Sequence, residues 1–252
     1  MPINISLEVS DTSSLPLAYW EMIFSFLEDH WLCPLTFVCK EWRKKLAGRA
    51  TRCSRLLEPA AMAGQEVLLS WCLSIMKKAP TQTIGRIICV GAAKGGQIPI
   101  LRWWKKVGGS WCAWDAEIYN QAAFRGHLHM IKYLKTGGCP MGANSHVCPN
   151  AAYGGHREVI QWASENGIKC TSETFRSAAA GGHIELMAWL KEINCPWDEE
   201  VSVFPAYLGR LDVLQWLLDN GCPYDTRTEM AAETHPEVYR FILERSGPTL
   251  AI

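Results

Sequence analysis

Apolar residues in this chain recur at helical spacing, in short bursts separated by turn residues. In one burst they fall at Val159, Ile160 and Trp162, and in another at Val213, Leu214, Trp216 and Leu217. Spacings of one, three and four place such residues on one face of a helix. Each burst stops at a breaker such as "NGCPYD" (220–225) or "INCPWDEE" (193–200), rich in Gly, Asn and Pro. Ahead of each burst stands a small pair, usually Ala-Ala, followed by Gly. A Gly there suits the left-handed end of a first, shorter helix. No segment alternates apolar and polar residues as a half-buried strand would. The pattern predicts helix–turn–helix units with one apolar side, each too small to fold alone and stable only when stacked.

The units are copies of one another. "AAMAGQEVLLSW" starts at Ala60, "AAKGGQIPILRW" at Ala92, "AAFRGHLHMIKY" at Ala122 and "AAYGGHREVIQW" at Ala151. "AAAGGHIELMAW" follows at Ala178, "PAYLGRLDVLQW" at Pro205 and a worn "AAETHPEVYRF" at Ala231. The starts lie about 26–32 residues apart and close up towards the C-terminus, the scale of a repeat array. The small pair predicts a close approach between helices. Trp71, Trp103, Tyr133, Trp162, Trp189, Trp216 and Phe241 share one column, which predicts a ladder of large side chains in the core between units. Aromatics that stack on bases would instead need to be exposed beside basic residues. His127, His156 and His183 share another column with Gln97 and Arg210. A metal or catalytic role would not tolerate Gln and Arg there, so these are expected to be polar residues that cap the turn.

"AAYGGHREVIQWASENG" resembles the ankyrin repeat, whose helices read A-A-x-x-G-H-x-E-V-V-x-x-L-x-x-x-G. The likeness covers about seven units with the degenerate ends, a predicted solenoid domain over 59–245 followed by a short tail over 246–252. Ankyrin units run about 33 residues with a T-P-L-H signature and a β-hairpin finger; these units are shorter and lack both. The "GCPYD" ending is similar to the divergent ankyrin-like repeats of large DNA viruses of amoebae. The resemblance implies a stack of helical hairpins, with fingers shortened or lost. Targets of such arrays bind on variable residues ahead of the Ala pair, here Glu117, Asn120, His146, Glu173, Arg176, Glu200 and Arg227. Their mixed charge favours a protein target over a nucleic acid.

Ahead of the repeats, "LPLAYWEMIFSFLEDHWLCPLTFVCKEWRKKL" (15–46) has a different pattern. Trp20, Ile23, Phe24 and Leu27 stand at helical spacing, and after a break Leu32, Leu35, Val38, Cys39 and Trp42 form a second apolar group. The stretch resembles an F-box, a three-helix module read as L-P-x-E-x-x-x-x-I-x-x-x-L and then V-C-K-x-W, here bounded at 12–50. Leu15, Pro16, Ile23, Leu27, Val38, Cys39, Lys40 and Trp42 match it. Ala18 departs where the family has Glu, and Pro34 stands where its Asp-Leu opens the next helix. The resemblance implies docking on a Skp-family adaptor through Leu15, Pro16, Ile23, Leu27, Val38, Cys39 and Trp42, and through it recruitment of a cullin–RING ubiquitin ligase. Leu15, Pro16 and Ile23 are also more apolar surface than so small a module can bury internally. Without that docking, the same segment reads as a helical cap over the first repeat.

Composition narrows this picture. The 252 residues carry 25 basic and 25 acidic side chains, so no net charge draws the chain to nucleic acid or an anionic membrane. No apolar run reaches the roughly 18 residues of a membrane span, and "MPINISLEVSDTSS" lacks the order of a signal peptide. Cytoplasmic or nuclear residence is expected, in host cytoplasm if the source is viral. The basic run between Lys40 and Arg55 reads as a solvated helix face. Eleven cysteines are scattered without a C-x-x-C pair, which predicts reduced, structural thiols and no metal. No nucleophile motif, phosphate loop or paired-carboxylate constellation stands out. The expectation is an all-α, non-enzymatic protein without cofactor: an F-box ahead of an ankyrin-like solenoid that serves a ubiquitin ligase as its substrate receptor. The alternative is an interaction scaffold that sequesters a partner without recruiting a ligase.

Overall fold

The computed structural model describes residues 50–76, 81–108, 116–141 and 146–246. The F-box-like segment and its seven proposed docking residues (Leu15, Pro16, Ile23, Leu27, Val38, Cys39 and Trp42) lie outside them. Fourteen α-helices and one 3-10 turn account for the regular structure among the described residues, and no strand occurs there. The helices come in pairs: α1 (Ala50–Met62) with α2 (Glu66–Met76), α3 (Gln82–Lys94) with α4 (Ile98–Gly108), and α5 (Ala116–Phe124) with α6 (Leu128–Thr136). They continue as α7 (Val147–Tyr153) with α8 (Arg157–Glu165) and α9 (Ser172–Gly181) with α10 (Ile184–Glu192). A 3-10 turn (Glu199–Ser202) leads into α11 (Val203–Tyr207), paired with α12 (Leu211–Asp219), and α13 (Thr226–Ala232) pairs with α14 (Pro236–Ser246). No described helix is long and apolar enough to cross a membrane.

The first helices of successive pairs pack on one another in chain order, from α1 through α13, and form the continuous inner row. Each second helix packs mainly on its own partner, as an outer row. The small pair permits this. Ala92, Ala93, Ala122, Ala123, Ala151, Ala152, Ala178 and Ala179 are all fully buried, so the inner helices meet across methyl groups. One apolar core runs from Leu57 to Cys222, and the last unit adds a second cluster around Ala206, Leu214, Ala232, Val238 and Ile242.

The aromatic column lies in the core, as expected, at Trp162 and Trp189, and only packs against it at the other described copies. Trp103, Tyr133, Trp216 and Phe241 are only half-buried, and Trp162 and Trp189 keep 9% of their surface. The fully buried position is the next residue along each outer helix: Trp104, Leu134, Ala163, Leu190, Leu217 and Ile242. One residue turns the side chain about 100° round the helix, from the rim to the inner row. Burying a Leu or Ile this way contributes roughly 1.5–3 kcal/mol. The rim aromatics do join units, but through cations. Arg102 lies 5.5 Å from the ring centre of Tyr133, Lys135 5.4 Å from Trp162 and Arg157 4.7 Å from Trp189, each cation coming from the preceding unit.

The turn between the two helices of a unit is closed by backbone. In successive units the amides of Gln97, His127, His156, His183 and Arg210 donate to the carbonyls of Ala92, Ala122, Ala151, Ala178 and Pro205 at 2.8–3.1 Å. That six-to-one closure needs a left-handed residue between donor and helix. Gly64, Gly96, Gly126, Gly155, Gly182 and Gly209 supply it, with φ between +65° and +81°. The turn after the outer helix is less strict, since Asn194 (φ 55°) stands where others have Gly138, Gly167 and Gly221.

These two turns should respond differently to the same substitution. A Cβ on Gly155 would sit 2.8 Å from the His183 ring, whereas a Cβ on Gly167 meets nothing within 4 Å. Gly167→Ala then carries only left-handed strain, about 1 kcal/mol. Gly155→Ala adds the displacement of His183 from its hydrogen bond, about 1 kcal/mol more. Chemical denaturation followed by circular dichroism should rank Gly155→Ala clearly below Gly167→Ala; equal losses would remove the histidine from the join.

Candidate interaction surface

The column histidines are caps, but across the unit boundary. His127 Nε2 lies 3.0 Å from the Lys94 carbonyl, His156 Nε2 3.1 Å from Phe124 O, and His183 Nε2 2.9 Å from Tyr153 O. His235, in the worn last copy, repeats this on Tyr207 O at 2.9 Å. A carbonyl only accepts, so Nε2 carries the proton in each ring. The accepting carbonyls end the inner helix of the preceding unit and would otherwise lack an intrahelical partner. None of His127, His156 or His183 caps the outer helix that it precedes. Gln97 and Arg210 fill the same space, against Gly64 and Gly182.

The seven residues proposed for target binding lie on the exposed face of the inner row, and most of them touch. Asn120 Oδ1 accepts from the His146 amide at 3.0 Å, and His146 Nδ1 stands 3.4 Å from Glu173 Oε1. Arg176, one turn after Glu173, donates to Glu200. Glu200 also accepts from Arg227 Nη1 at 3.0 Å. Glu117 Oε1 accepts from Gln121 Nε2 on the same helix at 2.7 Å. Five units are thus linked by a polar ladder running from α5 to α13. Sequence reasoning missed Glu199 and Asp225, which bracket Arg227 at 3.5 and 2.7 Å. Asp225 also accepts the Arg227 amide as the cap of α13, a role that an Asp ahead of a helix signals. Its hydrogen bond to Arg227 holds the Asp225 carboxyl below the usual carboxylate range. These pairs are solvent-exposed, so their weight in stability is small.

A second strip runs beside the ladder at the C-terminal ends of the inner helices. Phe124 and Tyr153 stack with ring centres 5.7 Å apart, and Arg125 caps the Phe124 ring at 5.5 Å. Tyr153, Phe204, Tyr207, Leu208 and Met230 are exposed at 48%, 56%, 60%, 45% and 67%. On α5 Asn120 and Phe124 lie four positions apart, on one face, while His146, the cap of α7, and Glu200, in the 3-10 turn ahead of α11, each stand seven positions before Tyr153 and Tyr207. The signal was the residue following the small pair, whose identity varies as Phe124, Tyr153, Ala180 and Tyr207.

The cysteines divide. Cys72, Cys139, Cys148, Cys170, Cys195 and Cys222 are in the thiol form, outside any disulfide, as expected. Cys89 is disulfide-bonded, which corrects the reading of every cysteine as reduced. Among the described residues no group of three His, Cys, Asp or Glu side chains is placed to hold a metal ion. No protein-family model matches the chain, and no curated protein is significantly similar to it.

His156 makes stability depend on pH. Burial holds the His156 imidazole below its ordinary value of 6.5, and the nearby His183 and His127 add to this against the pull of the Phe124 carbonyl. The unfolded chain therefore takes up the proton first, and stability present above pH 6.5 is lost as pH falls through it. The melting temperature should drop between about pH 7.5 and about pH 5.5. His156→Gln, which copies Gln97, should flatten that drop. A melting temperature that rises on acidification would reverse the assignment.

Proposed function

We propose that this chain is a non-catalytic receptor that captures a protein target on the inner face of an ankyrin-like array and presents it to a ubiquitin ligase. The observation that supports capture is the paired surface just described. A polar ladder and an exposed aromatic strip run side by side over successive inner helices, held by a stack whose own stability does not need them. Aromatic and Arg side chains are the usual anchors of protein interfaces. The carboxylates of Glu173, Glu199 and Glu200 along the ladder disfavour a phosphate backbone. Presentation rests on the F-box-like segment 15–46, with its Leu-Pro and "VCKEW" spacing. A Skp-family adaptor bound there would bring the target within reach of the ligase and raise its effective concentration. The ligase supplies the chemistry in this reading, and the chain needs neither cofactor nor metal.

The decisive measurement is binding of the full chain to a purified Skp-family adaptor. Wild-type protein should bind at micromolar concentration or tighter. Replacing Leu15 and Pro16 with Ala should weaken binding by about thirtyfold, the equivalent of about 2 kcal/mol of lost interface contact. The helical melting curve should not move, because distant sites act nearly independently. No adaptor binding by the wild type would remove the ligase from the proposal and leave an interaction scaffold that sequesters its partner.

A further inference from the structure

The exposed strip on the inner row changes character along the array. Its N-terminal half is occupied from within: Tyr153 stacks on Phe124, and Arg125 covers the Phe124 ring. Its C-terminal half is bare. Phe204, Tyr207 and Leu208, the last being the cap of α11, stand at spacings of three and four, which puts them on one face. The other side of α11, Pro205 and Ala206, is buried. Met230 holds on α13 the place that Phe204 holds one unit earlier, the residue ahead of the small pair. Because α11 and α13 pack on each other, Met230 extends the group across the join. All four side chains are between 45% and 67% exposed.

Together they amount to roughly 400 Å² of apolar surface, the size at which a patch on a monomer is often functional. A standard protein–protein interface takes about twice that from each partner. The patch therefore fits a short segment better than it fits a second copy of the chain.

Charge decides which kind of segment. Glu199 and Glu200 stand in the 3-10 turn that leads into α11, and Glu229 and Glu233 stand on α13 and at its C-terminal cap. With Asp225 these carboxylates outnumber the neighbouring guanidiniums of Arg176 and Arg227, both already engaged by Glu200. Arg227 also meets Glu199 and Asp225. Arg210 and His235, the next basic side chains, are turned to Gly182 and to the Tyr207 carbonyl. The rim of the patch thus keeps an excess of negative charge. It repels a phosphate backbone or an acidic peptide and favours Lys and Arg.

We propose that the patch on α11 and α13 takes a basic amphipathic segment of the target protein. Its apolar side chains sit on Phe204, Tyr207, Leu208 and Met230, and its Lys or Arg side chains face Glu199, Glu200 and Glu233. The proposal rests on the receptor reading above and supplies the chemistry of the target. Helical segments that dock in this way present apolar anchors at spacings of three and four. A helix of about twelve residues is about 18 Å long, enough to cross two packed helices whose axes lie about 8–10 Å apart.

The experiment uses the full chain and two fluorescein-labelled peptides of about twelve residues, with Leu at the same helical spacing. One carries Lys at its polar positions and the other carries Glu. By fluorescence anisotropy at low salt, the Lys peptide should bind at least about tenfold more tightly than its Glu twin. Phe204→Ser combined with Tyr207→Ser should weaken the Lys peptide about tenfold while the melting curve stays in place, since both side chains are exposed. Glu199→Lys combined with Glu233→Lys should weaken it by about the same factor and reduce its sensitivity to salt. Val67→Ser, at an exposed apolar residue on α2, should change nothing. Equal binding of the two peptides, no binding of the Lys peptide, or its undiminished binding to the Phe204 and Tyr207 variant overturns the proposal. Self-association of the wild-type chain that this variant disperses assigns the patch to a second copy and overturns it as well. Adaptor binding measured on the same protein separates the two readings: a chain that binds the adaptor but fails these tests remains a receptor, for a target of different chemistry.

Discussion

Everything in this array depends on how one unit's turn meets the next unit's side chain. An isolated helical hairpin of this sequence leaves an apolar side bare and a row of carbonyls open at the end of its inner helix. Stacking covers the first through the buried alanines. The second is met by the imidazole of the following unit, which donates into the exposed carbonyl of Lys94, Phe124, Tyr153 or Tyr207. The left-handed glycine makes room for that ring and closes its own helix with the same backbone step. Apolar contact is non-directional and would let units slide; the histidine-to-carbonyl bond is directional and sets their register. This is why the Gly and the polar residue after it recur together, while neighbouring positions drift.

Much of this was legible from spacing alone. Helix pairs, their breakers and the close approach of inner helices follow from where Val159, Ile160, Ala151 and Gly155 stand in their unit. The aromatic column was placed rightly at Trp162 and Trp189, which lie in the core, and too deep at Trp103, Tyr133, Trp216 and Phe241. Trp103 and Trp104 are both apolar, and periodicity cannot say which of two adjacent residues faces the inner row. Size is no guide where both are indoles. At Tyr133 the ring stays half-buried, with Arg102 of the preceding unit over its face. Such a cation lies far away in sequence and has no local signature. The histidine caps were foreseen as caps, but their partner lies one unit back, which no reading of a single turn reveals.

The interaction surface was half legible. Residues ahead of the small pair vary between copies, and that variation marked Asn120, His146, Glu173, Arg176, Glu200 and Arg227. That they bond to one another from unit to unit depends on the pitch of the stack, which only the fold supplies. The aromatic strip after the small pair escaped notice because Phe124, Tyr153 and Tyr207 alternate with Ala180 and so resemble drift. Strip and ladder share one cause: both are the parts of the inner helices left over once the Ala pair has been buried. A repeat that fixes its stability in small buried residues and backbone turns leaves its exposed face free to vary. In the receptor proposed above, that separation would let a new target be accommodated without touching the core.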